Sequence, residues 1–367
     1  MFSNSERVPD HGAGRTENHR EVDGSLGRKS LGIDLGYGFV KGTDGEKECL
    51  FPSVVGLGQP LSYQSELNDR SRLVDNLVVS VGGRRYFVGD LARRQSEIAA
   101  RSLDPNRVQD KNVRVLMLAT LGVFASEPRQ SFSVVTGLPT NYYASYRDGL
   151  AEALRGAHEV TVHETGTDRD LVVDVDKVKV VPQPFGTLFD QALDDLGRVV
   201  DQELSKAKVG IIDIGFKTAD FAVADSMEFI DRLSTSTTTG LASAYGIIAN
   251  KLREIFAIDK ENYELDEIVE RGEIRIAGKS YDLTEFKKET LEWVAAKIIT
   301  VVDSLWDYRD LDKILITGGG GQALGQYLMP EFPNARIVEG AQMANARGFY
   351  KLAKKVFKNE NGNPFSQ

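Results

Sequence analysis

The chain is poor in the residue types that carry metal and disulfide chemistry. It has one cysteine, Cys49, which excludes a disulfide framework and a cysteine-based metal site. Its four histidines, His11, His19, His158 and His163, form no ligand-like pair at helical spacing, which argues against zinc. An excess of positive charge is also missing. The 54 acidic and 45 basic residues leave a net charge of −9, and such a mixed, acidic surface argues against nucleic acid as a direct ligand. No apolar run reaches the length needed to cross a bilayer. The N-terminus carries charges without an apolar core, unlike a secretory signal. These absences lead to the expectation of a soluble, cytoplasmic protein that touches neither membrane nor nucleic acid.

What is present is an ordinary core supply, with 41% hydrophobic residues in 367, which predicts about two domains. Residues 1–29 are polar, glycine-rich and without periodicity, and read as a disordered extension. From Leu31 onward an α/β texture begins. Strands are expected around 31–43, on either side of Gly82-Gly83, over 131–139, over 171–186 where the alternation ends in two prolines, over 208–225, over 313–321 running into four glycines, and at ARIVEG, 335–340. Helices are expected over 111–125, 142–155, 187–206, 240–256, 283–306 and 341–357. Leu241, Tyr245, Ile248, Leu252 and Ile255 supply one helix face. Trp293 and Trp306 are expected to pack in the core, and His158 and His163 to be inert.

Two stretches repeat one design. Residues 32–42 read GIDLGYGFVKG and residues 211–221 read IIDIGFKTADF, each a strand, an aspartate, a glycine turn and a second strand. The similarity suggests two related halves facing one ligand cleft. A glycine turn lets backbone N–H groups approach an anion that side chains would hold off. Lys41 adds a positive charge for phosphate. Asp34 cannot bind phosphate itself and calls for an intervening cation, Mg2+ with its waters. Asp213, Gly215, Phe216, Lys217, Thr218 and Asp220 would grip the phosphates from the other side. The bland alternative for either copy is a hairpin with a capping aspartate.

The pattern resembles the actin, Hsp70 and sugar-kinase superfamily of two-domain ATPases. Asp34-x-Gly36-x-Gly38-x-x-Lys41-Gly42 resembles the first phosphate loop, and Asp213 through Asp220 the second. Thr317 with Gly318, Gly319, Gly320 and Gly321 resembles the adenosine motif, VVPQPFG at 180–186 the segment joining the domains, and GAQMANARGFYKLA at 340–353 the closing helix. The resemblance runs from residue 31 to about 355. Within the superfamily it is nearest to bacterial and archaeal actin-like proteins of the ParM type. The chain is expected to end with the ATPase core, leaving no room for a peptide-binding domain.

The resemblance implies an actin-like, ribonuclease H-like α/β fold with nucleotide between two domains. The implied boundaries are an extension over 1–30, domain I over 31–180 with 340–358, and domain II over 181–339. It implies that Asp34 and Asp213 hold Mg2+, that Gln183 orients the attacking water, and that Asp220 either helps to activate that water or braces the second loop. Gly240 joins the nucleotide-binding set. Glu270 and Arg271 are either nucleoside contacts or part of a charged, solvated helix. Lys217 either binds phosphate or is solvated. Two positions depart from the family pattern. Tyr37 stands where actin has serine, and Phe216-Lys217 interrupt the second loop. The implied activity is Mg2+-dependent hydrolysis of ATP, with GTP possible. The implied partners are further copies in a filament and an adaptor bound to centromere-like plasmid DNA, giving plasmid segregation. A static cytoskeletal actin and a soluble small-molecule kinase are the alternatives, although no catalytic aspartate for a kinase stands out.

Overall fold

The computed structural model describes residues 27–60, 72–101, 110–164 and 167–358. Residues 1–26 of the expected extension lie outside the described residues. Its last part is corrected. Lys29 opens a strand, its Nζ donating to Phe124 O at 3.0 Å, and Arg28 pairs with Asp176 at 2.6 Å. These two cations find fixed partners, so order begins before Leu31.

Among the described residues the first half is built on a ten-stranded sheet. Its strands are β1 (Lys29–Leu35), β2 (Phe39–Thr43), β3 (Glu48–Pro52), β4 (Val54–Leu57), β5 (Val78–Val81), β6 (Arg84–Val88), β7 (Ala99–Arg101), β8 (Arg129–Leu138), β9 (Gly156–Glu164) and β10 (Thr167–Pro182). The order is β3-β2-β1-β8-β10-β9-β5-β6-β4-β7. The second half carries β11 (Lys208–Ile214), β12 (Ala219–Asp225), β13 (Glu228–Phe229), β14 (Thr235–Thr237), the β15 (Glu273–Ile276) and β16 (Lys279–Asp282) hairpin, β17 (Lys313–Thr317) and β18 (Ala335–Ile337). Its main sheet runs β13-β12-β11-β17-β18, with β14 on β12.

The two halves share one pattern. β1 pairs antiparallel with β2 and parallel with β8, and β11 pairs antiparallel with β12 and parallel with β17. β1 and β11 are buried along most of their length, as expected of strands covered on both faces. Alternation then assigns sides. Ile212 and Ile214 point to a core with Val294, Ile298 and Leu324, whereas Val209 and Ile211 point to a core with Leu188 and Ala344.

The helices are α1 (Asp90–Gln95), α2 (Lys111–Phe124), α3 (Thr140–Leu154), α4 (Phe185–Ala192), α5 (Leu241–Phe256), α6 (Asp266–Arg271), α7 (Thr284–Leu305), α8 (Gly318–Leu328) and α9 (Ala341–Lys358). α9 serves both halves. Its Phe349 and Leu352 pack on Val135 and Val181 of the first sheet, and its Ala344 joins the core of the second. Asp190 of α4, only 4% exposed in its side chain, receives Arg347 at 2.8 Å and Lys351 at 2.9 Å from α9, which fixes the two helices against each other.

The helix expected over 187–206 is shorter, because Asp194 takes over the backbone. Its Oδ1 accepts from Leu196 N and Arg198 N, offering the chain a turn in place of the next helical turn. Trp306 is buried, donating Nε1–H to Leu233 O at 2.8 Å. Trp293 is 46% exposed, with Lys297 Nζ 3.7 Å from its ring centroid, so it does not pack in the core. It sits on the outward face of α7, where Val294 and Ile298 take the inner one. Among the described residues no helix is long and apolar enough to cross a membrane.

Candidate functional site

The strand ends β1 and β11 deliver Asp34 and Asp213, and the turns after them face each other. In the first turn Asp34 sits opposite Lys41 in the β1–β2 register. Their side chains pair at 2.9 Å, both nearly buried. Ser53 braces this turn, its hydroxyl donating to Gly36 O at 2.6 Å and its N–H to Gly38 O at 2.9 Å. In the second turn Gly215 N donates to Thr218 O at 2.9 Å. The turns approach so closely that a Cβ at Gly38 would fall 2.7 Å from the Cβ of Phe216. Tyr37 and Lys217 also meet, with the ammonium 4.8 Å from the ring centroid. The departure at Tyr37 is therefore matched by the one at Lys217.

A third element closes the site. β17 ends at Thr317, and the glycines that follow open α8. Gly318 has φ +81°, and a Cβ there would lie 2.5 Å from Asp213 Oδ1 and 2.4 Å from Ile214 O, so both its conformation and its surroundings require glycine. Backbone N–H groups at this helix start have no intrahelical partner and carry partial positive charge.

One cavity is lined by all three elements: Gly36, Tyr37, Gly38 and Lys41 from the first turn, Asp213, Gly215, Phe216 and Thr218 from the second, and Gly318, Gly319 and Gly320 from α8. Gln183, which follows β10, also lines it. Phe39, Leu241, Tyr245 and Gln342 complete the wall. Leu241 and Tyr245 carry only a helix-face signal in the sequence, and Gln342 carries none.

Several predicted residues stand behind or away from the cavity. Asp34 reaches it through Lys41. Lys217 leans on Tyr37. Gly240 braces the second turn from outside, with a Cβ there 2.5 Å from Phe216 O, while Leu241 N and Ala242 N donate to Gly215 O and Phe216 O. Glu270 and Arg271 are the exposed last residues of α6. Arg271 lies 3.8 Å from Glu267 and Lys287 Nζ donates to Glu270 O, so neither is brought to the cavity. The geometry agrees with the charged, solvated helix among the two readings.

The Asp220 carboxylate is engaged as a brace. Its Oδ2 accepts from Thr218 Oγ1 at 2.9 Å, and its Oδ1 accepts from Thr140 N at 2.7 Å and from the Ser236 hydroxyl. Both oxygens are thus spent on holding the second turn to α3 and β14.

The electrostatics are lopsided. Asp34, Asp213 and Asp220 are each 1–2% exposed. Burial, then the charges of Asp220 and Asp34, push Asp213 up to about 7, against the pull of Asn345 and Lys41. Burial likewise raises Asp220, offset by its hydrogen bonds from Ser236, Thr140 and Thr218. Asp34 Oδ1 is buried and has no hydrogen-bond partner among the described residues. A network invisible in the sequence holds Asp213. Asn345 Nδ2 donates to its Oδ2 at 2.7 Å, and Asn345 Oδ1 accepts from Thr187 N at 3.0 Å and Thr187 Oγ1 at 2.9 Å. The Thr187 hydroxyl lies 2.8 Å from that of Thr317. Such a site offers backbone donors to an anion and buried carboxylates to a cation.

Comparison with known proteins places this geometry. A family model described as "Actin like proteins N terminal domain" matches residues 32–186, and one described as "Archaeal actin homologue MreB-like, C-terminal" matches 211–330. No curated protein matches the chain. A 15-stranded ParM filament from Clostridium botulinum has a similar subunit at TM-score 0.78 and 24% identity, covering 90% of this chain and 100% of that one. The archaeal actin homologue Ta0583, in complex with ADP, is similar at TM-score 0.73 and 20% identity, covering 89% and 99%. The apo psk41 ParM protein is similar at TM-score 0.67 and 20% identity, covering 91% and 99%. With its two halves matched in sequence order by an actin-like N-terminal and an actin-like C-terminal model, and with this two-sheet fold around a shared cleft, the chain belongs to the actin-like proteins.

Proposed function

We propose that the chain is a Mg2+-dependent nucleoside triphosphatase that assembles into filaments with ATP or GTP bound and loses them after hydrolysis. The observation that carries this reading is the convergence of two glycine turns and the start of α8 on one cavity bordered by buried carboxylates. The turns from 31–180 and from 181–339, with 340–358 returning to the first sheet, act as two domains gripping one ligand. Backbone N–H groups of Gly36, Tyr37, Gly38, Phe216 and Thr218, with Lys41, bind the phosphates, and Gly215, whose own N–H is given to Thr218 O, lets them approach the second turn. Gly318, Gly319 and Gly320 allow the nucleoside to lie against backbone.

The residues fit Mg2+. Asp34 Oδ1 is a buried, orphaned acceptor, and Asp213 is pushed up to about 7 by burial first and then by the charges of Asp220 and Asp34. Among the described residues no group of three or more histidine, cysteine or acidic side chains could hold a metal by itself. That suits Mg2+, which keeps several waters and shares its remaining ligands with phosphate oxygens. Asp34 and Asp213 would hold its hydration shell, and when bound the ion would neutralise charge building on the phosphates. Hydrolysis then asks the protein for position more than for covalent chemistry. Gln183 lines the cavity and orients the water through its amide. Asp220 keeps the second turn in place.

Filament growth rests on the likeness to the Clostridium botulinum ParM filament subunit, and nucleotide binding on that to the ADP complex of the archaeal homologue. Plasmid segregation through an adaptor on centromere-like DNA, in the cytoplasm, extends the same reading. The deciding experiment is light scattering with Mg2+ and ATP, GTP or ADP in turn, with electron micrographs and phosphate release on the same samples. A triphosphate-dependent rise followed by decay, with filaments on the grid, is the expected result. Phosphate release with flat scattering would overturn the filament and leave an enzyme.

A further inference from the structure

The outer mouth of the cleft is crossed by charge. Arg101 ends β7, at the edge of the first sheet, and Asp266 opens α6 in the second half. Arg101 Nη2 donates to Asp266 Oδ2 at 2.9 Å, with side chains 3% and 11% exposed. Arg93 of α1 adds a second cation, its Nη1 3.6 Å from the same oxygen and 3.1 Å from Asp90 Oδ1. The guanidinium carbon of Arg101 lies 4.4 Å from the ring centroid of Phe216. Phe216 in turn meets Tyr245 edge-on, with centroids 5.0 Å apart. Phe216 and Tyr245 both line the cavity. Outside the ion pairs lies a second, charged cavity bordered by Asp75 and Arg94 from one half and by Lys260 and Glu267 from the other.

We propose that Arg101, Arg93 and Asp266 form an ionic clasp that holds the mouth of the cleft shut and sets how long a nucleotide stays in it. These are positioning residues, acting through Phe216 and Tyr245, and the retention role rests on the nucleotide reading given above. The physical argument is one of states. A buried arginine–carboxylate pair adds little net stability, but removing one partner strands the other charge out of water. A pair that spans the mouth therefore has two arrangements open to it: paired and dry, or separated and hydrated. Arg101 Nε and Nη1 have no hydrogen-bond partner among the described residues, so the closed state leaves donors that water would satisfy on opening. Because Arg101 also stacks on the second phosphate turn, opening the mouth and loosening that turn are one motion.

The test uses the full chain and two readouts. The first is stopped-flow release of a fluorescent adenosine diphosphate in Mg2+. Asp266→Asn is expected to speed release roughly tenfold or more, and Asp266→Glu to restore much of the slow rate. The second needs no nucleotide. Spin labels at Gln95→Cys and Glu273→Cys, both exposed positions, report the width of the mouth. Cys49 is buried and its thiol pushed up to about 12, so it takes no label. A single short distance is expected, replaced by a broad, longer distribution in Asp266→Asn. An unchanged distribution, or release unchanged in a protein that binds the nucleotide, overturns the clasp. If the parent chain binds no nucleotide, the nucleotide reading falls and the distances alone decide the clasp. Should Asp266→Asn misfold, Arg93→Gln, at the rim, is expected to give a smaller change in both readouts, and no change would count against the clasp.

Discussion

Asn345 of α9 donates to Asp213, near the end of β11, at 2.7 Å, across 132 positions of sequence. It ties the last helix to the site, because its carbonyl oxygen is taken up by Thr187 at the same time.

Asn345→Ala takes the one hydrogen-bond donor from Asp213 Oδ2 in a buried place, while Thr187 N keeps Pro184 O and the Thr187 hydroxyl keeps that of Thr317. One stranded group costs about 1–3 kcal/mol. A loss of that size is expected in urea unfolding, with the slope unchanged. A variant as stable as the parent would show that water replaces the network.

Asp213 supplies a pH dependence with a definite sign. Its folded value is raised to about 7 from an ordinary 3.8, so the folded state holds the proton more tightly than the unfolded chain. Stability from this group is fully present below the unfolded value and is lost as pH rises through the folded one. The nucleotide- and Mg2+-free chain should therefore lose on the order of 4 kcal/mol between about pH 4 and pH 8 from this group. Thermal unfolding across that range checks it, with Asp213→Asn expected to flatten the profile. A parent profile as flat as that of the variant would remove the raised value. The same substitution, like Asp213→Ala, should abolish hydrolysis with the fold retained.

Gln183→Ala removes a side chain from the cavity wall without touching the backbone bond from Gln183 N to Leu138 O. Nucleotide affinity should stay within about threefold while hydrolysis slows by roughly a hundredfold, as expected for losing a water-orienting group. Equal losses in both would assign Gln183 to binding.

Gly318→Ala forces a Cβ onto Ile214 O and Asp213 Oδ1 in a left-handed backbone. Strain of about 1–3 kcal/mol would be relieved by moving the start of α8. Loss of nucleotide binding is expected with circular dichroism close to that of the parent. Gly319→Ala is the control, since only Gln342 atoms at 3.9 Å lie near its Cβ position, and it should fold and melt like the parent.

Much of the site was legible locally. The repeated Asp-x-Gly turns, Lys41 and the TGGGG run are short-range patterns, in which strand alternation and glycine spacing dictate where backbone is exposed. The aspartates and the TGGGG run converge because each sits at the end of a buried strand, and Lys41 joins them through its pairing with Asp34. The helix expected over 187–206 ends at Ala192, since apolar spacing does not register an aspartate that caps its own backbone. Trp293 lies outside the core that its type suggests, since aromatic character alone does not say which side of α7 faces inward.

The sequence by itself determined the α/β order of elements, the duplicated turns and the location of their carboxylates, since each depends on residues a few positions apart. Only the tertiary structure decided that Asp220 is consumed by Thr140 and Ser236, that Glu270 and Arg271 stand clear of the cavity, and that Asn345, Ser53 and Tyr245 belong to its surroundings. It alone joined Arg101 to Asp266. These relations depend on how far apart two surfaces lie once sheets and helices have packed. Packing depends on the summed volumes of many side chains, a quantity that no short window of sequence contains.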